Sequence, residues 1–175
     1  MEIEVFDNAV PFKVKDRMND LAHGTFFKLG WKDSKRGEDN LYSAWTPNQL
    51  TESNILLPIQ NCIAQTKWFT NTVLENIIIN LVRPNDVYYI HHHHDWQVAL
   101  YYINLEWEDG WHGETLFYDS KDLDKIIFTS VFKPGRIVLF DGNIPHAIRP
   151  QSIIAPKYRM SLTLLYGKNE KRAIN

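Results

Sequence analysis

The sequence has little cysteine, little net charge and no long apolar run. Its 175 residues include one cysteine, Cys62, which excludes an internal disulfide framework and a zinc cluster built from thiolates. No apolar stretch approaches the roughly 18–20 residues that a transmembrane helix needs. The acidic opening segment, MEIEVFDNAV, does not resemble a signal peptide. These absences favour a cytoplasmic protein with no membrane partner.

Acidic and basic residues are nearly balanced, with 19 Lys and Arg against 21 Asp and Glu and a formal net charge of −2. A dedicated nucleic-acid-binding protein usually carries a basic patch or an overall positive charge. The charge balance therefore argues against nucleic acid as a partner, and no pattern in the sequence indicates an oligomeric state.

The length predicts a single domain over residues 1–175. Two regions of this domain differ in their residue patterns. Residues 1–70 contain helical spacings, one between Pro11 and Gly24 and another beginning near Pro58. The charged run 32–40 indicates a solvated loop, with a mobile flap as the alternative. Residues 72–167 contain short β-branched and aromatic runs separated by turn residues, which predict an all-β roll of about eight strands.

An internal run of four histidines followed by an aspartate, residues 91–95, is the strongest local signal. If the run is extended, His93 and Asp95 share one face with Cα atoms about 7 Å apart. His146 follows a turn and is the candidate for a third ligand. Two histidines and one carboxylate form the facial triad of non-haem iron(II) enzymes. A fortuitous surface metal patch and ordinary core histidines are the alternatives, and we expect His91 to lie outside the ligand set.

The last strand-like run of the sequence, which begins at Arg159, has a polar face that adds to this pattern. Strand alternation places Arg159, Ser161 and Thr163 on one side, whereas Met160, Leu162 and Leu164 take the other. Since a buried arginine is costly without a partner, the polar face suits the carboxylate of a small ligand. The alternative for Arg159 is a structural salt bridge.

Together these motifs resemble the 2-oxoglutarate/iron(II)-dependent dioxygenases, in particular their prolyl-4-hydroxylase-like branch and its small phage and bacterial members. The resemblance covers about residues 76–167 and is carried by the order His93-x-Asp95, His146 and Arg159-x-Ser161. The segments ALYYIN, WHGETLFY and KPGRIVLF are similar to the strands that surround these motifs in prolyl hydroxylases. This family has a double-stranded β-helix core, also called a jelly roll or cupin-like fold, which we therefore expect here.

The resemblance implies a role for each motif residue. His93, Asp95 and His146 would bind iron(II), while Arg159, helped by Ser161 and Tyr102, would bind the distal carboxylate of 2-oxoglutarate. The implied reaction couples oxidative decarboxylation of 2-oxoglutarate by O₂ to hydroxylation, with ascorbate as the candidate reductant. The branch favours a prolyl residue of a peptide or protein as the substrate, with a small molecule as the alternative. Halogenating relatives lack the carboxylate ligand, so Asp95 favours hydroxylation.

Three other functions stay open at this point. A cupin-type protein that binds a metal or small molecule without oxidation would use His91-x-His93, but Gln97 and Val98 stand where cupins place a glutamate. A 2-oxoglutarate-dependent demethylase of nucleic acid would need a basic gripping lobe, and the Lys13–Arg17 segment is an ordinary mixed-charge helix face. A non-enzymatic binding module would leave the complete ligand set unexplained.

Overall fold

The computed structural model describes residues 2–31, 41–45, 50, 54–84, 86 and 89–168. Two α-helices lie wholly within these ranges, α1 (Phe12–His23) and α2 (Leu57–Gln65). Helix α1 follows Pro11 and ends at Gly24, whose N–H donates to the carbonyl of Asp20, and α2 has a proline in its first turn. Both helices lie where the spacing predicts them. Neither has the length and hydropathy of a membrane-spanning segment.

Ten strands lie within the described ranges. They are β1 (Ile3–Phe6), β2 (Lys28–Trp31), β3 (Leu41–Trp45), β4 (Thr72–Val82), β5 (Trp96–Tyr102), β6 (Thr115–Asp119), β7 (Asp122–Ser130), β8 (Ile137–Asp141), β9 (His146–Ile148) and β10 (Arg159–Lys168).

The strands form two antiparallel sheets. The larger has seven strands in the order β1-β8-β5-β10-β4-β3-β2, and the smaller has three in the order β7-β6-β9. Strand β10 is central because it pairs with β4 on one side and β5 on the other, which places Ser161 opposite both Asn80 and Tyr102. The predicted fold class, mostly β with N-terminal helices and a jelly-roll core, is confirmed.

The alternation along β10 divides the interior as predicted. Met160, Leu162 and Leu164 belong to a buried apolar cluster that also contains Met18 of α1 and Ile59 of α2. Through this cluster the two helices pack against the outer face of the larger sheet. The other side of β10 lines a cavity whose walls come from both sheets.

The N-terminal region differs from the prediction because it also contributes strands. Strand β1 pairs with β8, placing Ile3 opposite Phe140, and β3 pairs with β4. The region predicted as a helical support thus also extends the larger sheet at both edges. The charged run 32–40 lies outside the described residues.

Candidate metal and ligand site

Three histidines converge at one wall of the cavity. The side chains of His91, His93 and His146 each offer a ring nitrogen, and these three atoms lie within 4.8 Å of one another. The ring centroids of His91 and His146 are 4.4 Å apart, and that of His93 is 5.1 Å from each of them. Convergent imidazoles of this kind are typical ligands of iron, zinc, copper and nickel.

Backbone pairing explains how residues so distant in sequence meet. His91 and His146 form an isolated antiparallel bridge, in which the N–H of His91 donates to the carbonyl of His146 at 3.0 Å and the reverse bond measures 2.8 Å. The N–H of His93 donates to the carbonyl of Gly142 at 2.7 Å. One anchor, Gly142, follows β8 and the other, His146, begins β9, so the histidine run and His146 are held as one unit.

Asp95 lies outside this cluster, contrary to the strand alternation proposed for residues 91–95. The chain turns after His93, and the N–H of Trp96 donates to the His93 carbonyl at 3.4 Å. Asp95 occupies this turn with a left-handed φ of 62° and is exposed. Alternation holds only in extended chain, and β5 begins one residue later. The structure therefore brings together His93 and His146 of the predicted triad and adds His91 in place of Asp95.

The environment keeps the inner imidazoles neutral. Burial, reinforced by the nearby His91 and His92, lowers the pKa of His93 to about 3. Burial also holds the pKa of His146 well below its usual range, and the neighbouring His91 and His93 act in the same direction. Both rings are therefore unprotonated at neutral pH, as a metal ligand must be.

The same cavity is lined by a buried guanidinium. Arg159 is fully buried, and Ser161 and Thr163 follow it along the cavity face of β10 as predicted. The full lining combines polar groups with apolar strand residues: Ile78, Asn80, His91, His93, Val98, Leu100, Thr115, Phe140, His146, Ile148, Arg159, Ser161 and Thr163. A cavity with a cationic group, a convergent imidazole cluster and apolar walls is suited to a small anionic ligand that also binds a metal.

Neutral oxygens and aromatic rings hold the Arg159 side chain in place. Its Nε donates to the carbonyl of Gly113 at 2.8 Å, and Nη1 and Nη2 lie 3.5 Å from the hydroxyls of Ser161 and Thr115. The guanidinium carbon also lies 4.8 Å from the ring centroid of Phe132. Gly113 adopts a φ of +83°, and a Cβ there would lie 3.3 Å from Cδ of Arg159, so glycine permits this close approach.

Tyr102 lies behind the cavity wall and does not line it. Its hydroxyl is 2.9 Å from Oγ1 of Thr115 and 3.1 Å from Oγ of Ser130, and the side chain is fully buried. Its ring stacks on Phe132 and lies 5.3 Å from the guanidinium carbon of Arg159. The structure thus places Tyr102 beside Thr115 and Arg159, and the direct ligand contact expected from the resemblance stays a prediction.

Replacing Tyr102 with phenylalanine separates these two roles. If the hydroxyl only supports its neighbours, Tyr102→Phe should lower the free energy of unfolding by about 1–2 kcal/mol, because it leaves buried hydroxyls short of a partner. The affinity for the cavity ligand should change by no more than about threefold, less than the loss of one charge-assisted hydrogen bond. Urea denaturation and calorimetric titration measure the two quantities.

Tyr166 provides a matched control for this experiment. Its hydroxyl is also buried but has no hydrogen-bond partner among the described residues, and burial raises its pKa to about 12. Removing an unsatisfied hydroxyl is nearly neutral or stabilising, so Tyr166→Phe should not lower stability. A large loss of ligand affinity in Tyr102→Phe alone would instead assign Tyr102 a direct contact.

Two residues that line the cavity, His91 and Thr115, were given no binding role in the proposed function from the sequence. His91 was placed outside the ligand set, although its His-x-His spacing with His93 was the signal that the cupin alternative used. Thr115, which touches both Tyr102 and Arg159, lies in the recognised WHGETLFY segment but was given no role. Only the pairing of β6 with β9, which sets Phe117 opposite His146, brings that segment beside the histidines.

Comparison with known proteins supports the fold. No protein-family model and no curated protein sequence matches the chain. Among solved structures, a Trichoplax adhaerens prolyl hydroxylase in complex with a hypoxia-inducible-factor peptide fragment superimposes with a TM-score of 0.65 at 17% identity, covering 99% of this chain and 87% of that one. A Burkholderia pseudomallei oxidoreductase of the 2OG-Fe(II) oxygenase family gives a TM-score of 0.69 at 14% identity, covering 97% and 88%.

A third structure, HygX from Streptomyces hygroscopicus with nickel, 2-oxoglutarate and hygromycin B bound, gives a TM-score of 0.65 at 12% identity. It covers 97% of this chain and 84% of that one. The chain therefore has the fold of 2-oxoglutarate oxygenases, including prolyl hydroxylases.

Proposed function

We propose that the protein is a 2-oxoglutarate- and iron(II)-dependent oxygenase. The observation that carries this proposal is that one cavity is lined both by a cluster of imidazoles and by a fully buried guanidinium. 2-Oxoglutarate needs both, because its 2-oxo acid end chelates a metal and its other end is a carboxylate. The fold shared with solved oxygenases supports the same conclusion.

The residues present fit an iron(II) ion. His93 and His146 are neutral nitrogen donors close enough to share one ion, and a facial set of three protein ligands leaves the other coordination positions open. When bound, iron(II) together with 2-oxoglutarate and O₂ supplies the oxidising power for hydroxylation of a substrate.

The protein's own contribution is to orient the cosubstrate and to exclude water. Arg159 can form charge-assisted hydrogen bonds to the distal carboxylate, and Ser161 and Thr163 add hydroxyl donors on the same face of β10. Val98 and Leu100 provide an apolar wall from β5. Beside these apolar side chains the effective dielectric constant is lower than in bulk water, which strengthens the electrostatic contacts.

For the substrate we propose a prolyl residue in a peptide or protein. The segments that resemble prolyl hydroxylases surround the cavity, and prolyl hydroxylases are among the solved structures with this fold. A small-molecule substrate is the second candidate, favoured by the same fold in HygX, which was solved with hygromycin B bound.

Turnover with paired peptides tests the proposal. The iron(II)-loaded protein is incubated with 2-oxoglutarate, O₂, ascorbate and a proline-rich peptide, and succinate and peptide mass are followed. We expect succinate formation and a peptide that gains one oxygen atom. The same peptide with each proline replaced by alanine is the control and should gain none.

The possible outcomes test the oxygenase function and the prolyl substrate separately. Succinate formation without peptide oxidation would support the oxygenase and direct the search to small molecules. Oxidation of both peptides would contradict proline as the site. A protein that binds neither iron(II) nor 2-oxoglutarate would contradict the oxygenase function itself.

A further inference from the structure

We infer that His91, and not Asp95, is the third metal ligand, so that the metal centre consists of three neutral imidazoles from His91, His93 and His146. This inference rests on the proposed function only in requiring that a divalent metal binds at the cluster. It changes the expected chemistry of the site, because an ion held by three imidazoles keeps its full double positive charge, whereas a carboxylate ligand would cancel one unit.

The main chain fixes His91 directly opposite His146. The two residues exchange both backbone hydrogen bonds, at 3.0 and 2.8 Å, and their rings are the closest pair of the cluster. Since a pair that exchanges both bonds shares one face of a sheet, the two side chains extend to the same side. An ion bound by His146 is therefore within reach of His91 without a change in the backbone.

The rings of His91 and His146 are oriented by the same kind of hydrogen bond. Nδ1 of His91 lies 3.1 Å from the carbonyl of Tyr89, and Nδ1 of His146 lies 2.8 Å from the carbonyl of Ile144. A carbonyl only accepts, so each Nδ1 must carry the hydrogen and each Nε2 presents its lone pair. Metal-binding histidines usually donate their second nitrogen in this manner, which fixes the tautomer and the ring orientation.

The turn that contains Asp95 is anchored by backbone hydrogen bonds at both of its ends. The N–H of His93 donates to Gly142 at 2.7 Å, and the N–H of Gly142 donates to the Trp96 carbonyl at 2.9 Å, so both ends of the turn are tied to one residue. The Asp95 side chain is exposed on this turn, and its carboxylate does not belong to the group of convergent ligand atoms.

Cobalt(II) titration of single variants tests the assignment without any need for turnover. We expect His91→Ala to weaken cobalt binding at least about 100-fold, since even supporting groups outside the ligand set contribute 10–100-fold. Asp95→Ala should bind cobalt within about threefold of the unmodified protein, as expected for an exposed side chain. His92→Ala is the matched control, because His92 is exposed, adjacent in sequence and packed against His94 rather than the cluster.

A second measurement uses the unmodified chain and so does not depend on how a variant folds. Pulsed electron paramagnetic resonance of the copper(II)-loaded protein counts the coordinated imidazoles, and we expect three. Two imidazoles, together with a large loss of cobalt affinity in Asp95→Ala but not in His91→Ala, would overturn the inference and leave the oxygenase proposal standing. Failure of the unmodified protein to bind cobalt, copper or iron(II) would contradict both.

Discussion

Replacing Arg159 with methionine is expected to weaken 2-oxoglutarate binding at least about 100-fold while leaving metal affinity unchanged. The guanidinium is the cationic group of the cavity wall, and methionine keeps most of its length without its charge. A hydrogen bond to a charged group contributes about 1.5–3 kcal/mol, so the loss of two corresponds to a factor of 100 or more. Calorimetric titration of 2-oxoglutarate into the nickel(II)-loaded protein, which prevents turnover, measures the effect.

Two further variants distinguish the loss of a ligand contact from a loss of folding. Arg159→Lys retains the charge without the planar fork and should bind 2-oxoglutarate with intermediate affinity. Arg149→Met removes a half-exposed arginine that lies 3.7 Å from Glu114, and it should bind normally. Unchanged 2-oxoglutarate affinity in a folded Arg159→Met protein would show that the distal carboxylate binds elsewhere and would favour a structural role for the buried arginine.

Adding one methyl group at Gly142 is expected to disrupt the metal site. A Cβ there would lie 2.6 Å from the backbone oxygen of Trp96 and nearer still to that of His93, and backbone atoms cannot rotate away. We expect Gly142→Ala to lower the free energy of unfolding by about 3 kcal/mol, at the upper end of overpacking effects. Because the displaced backbone carries His93, cobalt affinity should fall as well. Thermal melting and cobalt titration measure the two effects.

Gly24→Ala is the matched control for Gly142→Ala. Gly24 has an ordinary helical conformation with a φ of −82°, and a Cβ there would lie 3.4 Å from its nearest neighbour, the carbonyl oxygen of Asp20. This substitution should change neither stability nor metal binding appreciably. If Gly142→Ala behaves in the same way, the turn between His93 and Trp96 is not the rigid support described above.

Sequence patterns predicted the parts of the molecule that depend on local periodicity. The spacing between Pro11 and Gly24 predicted α1, and the alternation in β10 correctly separated the polar face of Arg159 from the apolar face of Met160. These assignments succeed because helix and strand periods follow from backbone geometry alone. The motif order also led to His146 and Arg159 as partners in one site, although the intervening residues carry no direct signal of their proximity.

Local patterns carry less information where the chain leaves regular secondary structure or where a contact joins distant segments. Alternation from His91 to Asp95 assumes an extended chain, and the anchored turn at Asp95 breaks that assumption. The position of His91 beside His146 depends on their backbone bridge, a long-range pairing that no local window contains. Tyr102 was expected to contact the ligand, but Ser130 at the end of β7 supplies one partner for its hydroxyl from outside the cavity wall.

The most direct test of the central claim is the absorption spectrum of the unmodified protein after anaerobic addition of iron(II) and then 2-oxoglutarate. A metal bound by the histidine cluster and a carboxylate bound by Arg159 together predict a visible charge-transfer band of the chelated 2-oxo acid. The band should saturate at one equivalent of iron(II) per chain and should be much weaker at equal 2-oxoglutarate in Arg159→Met. A protein that binds iron(II) but gives no such band at saturating 2-oxoglutarate would contradict the account.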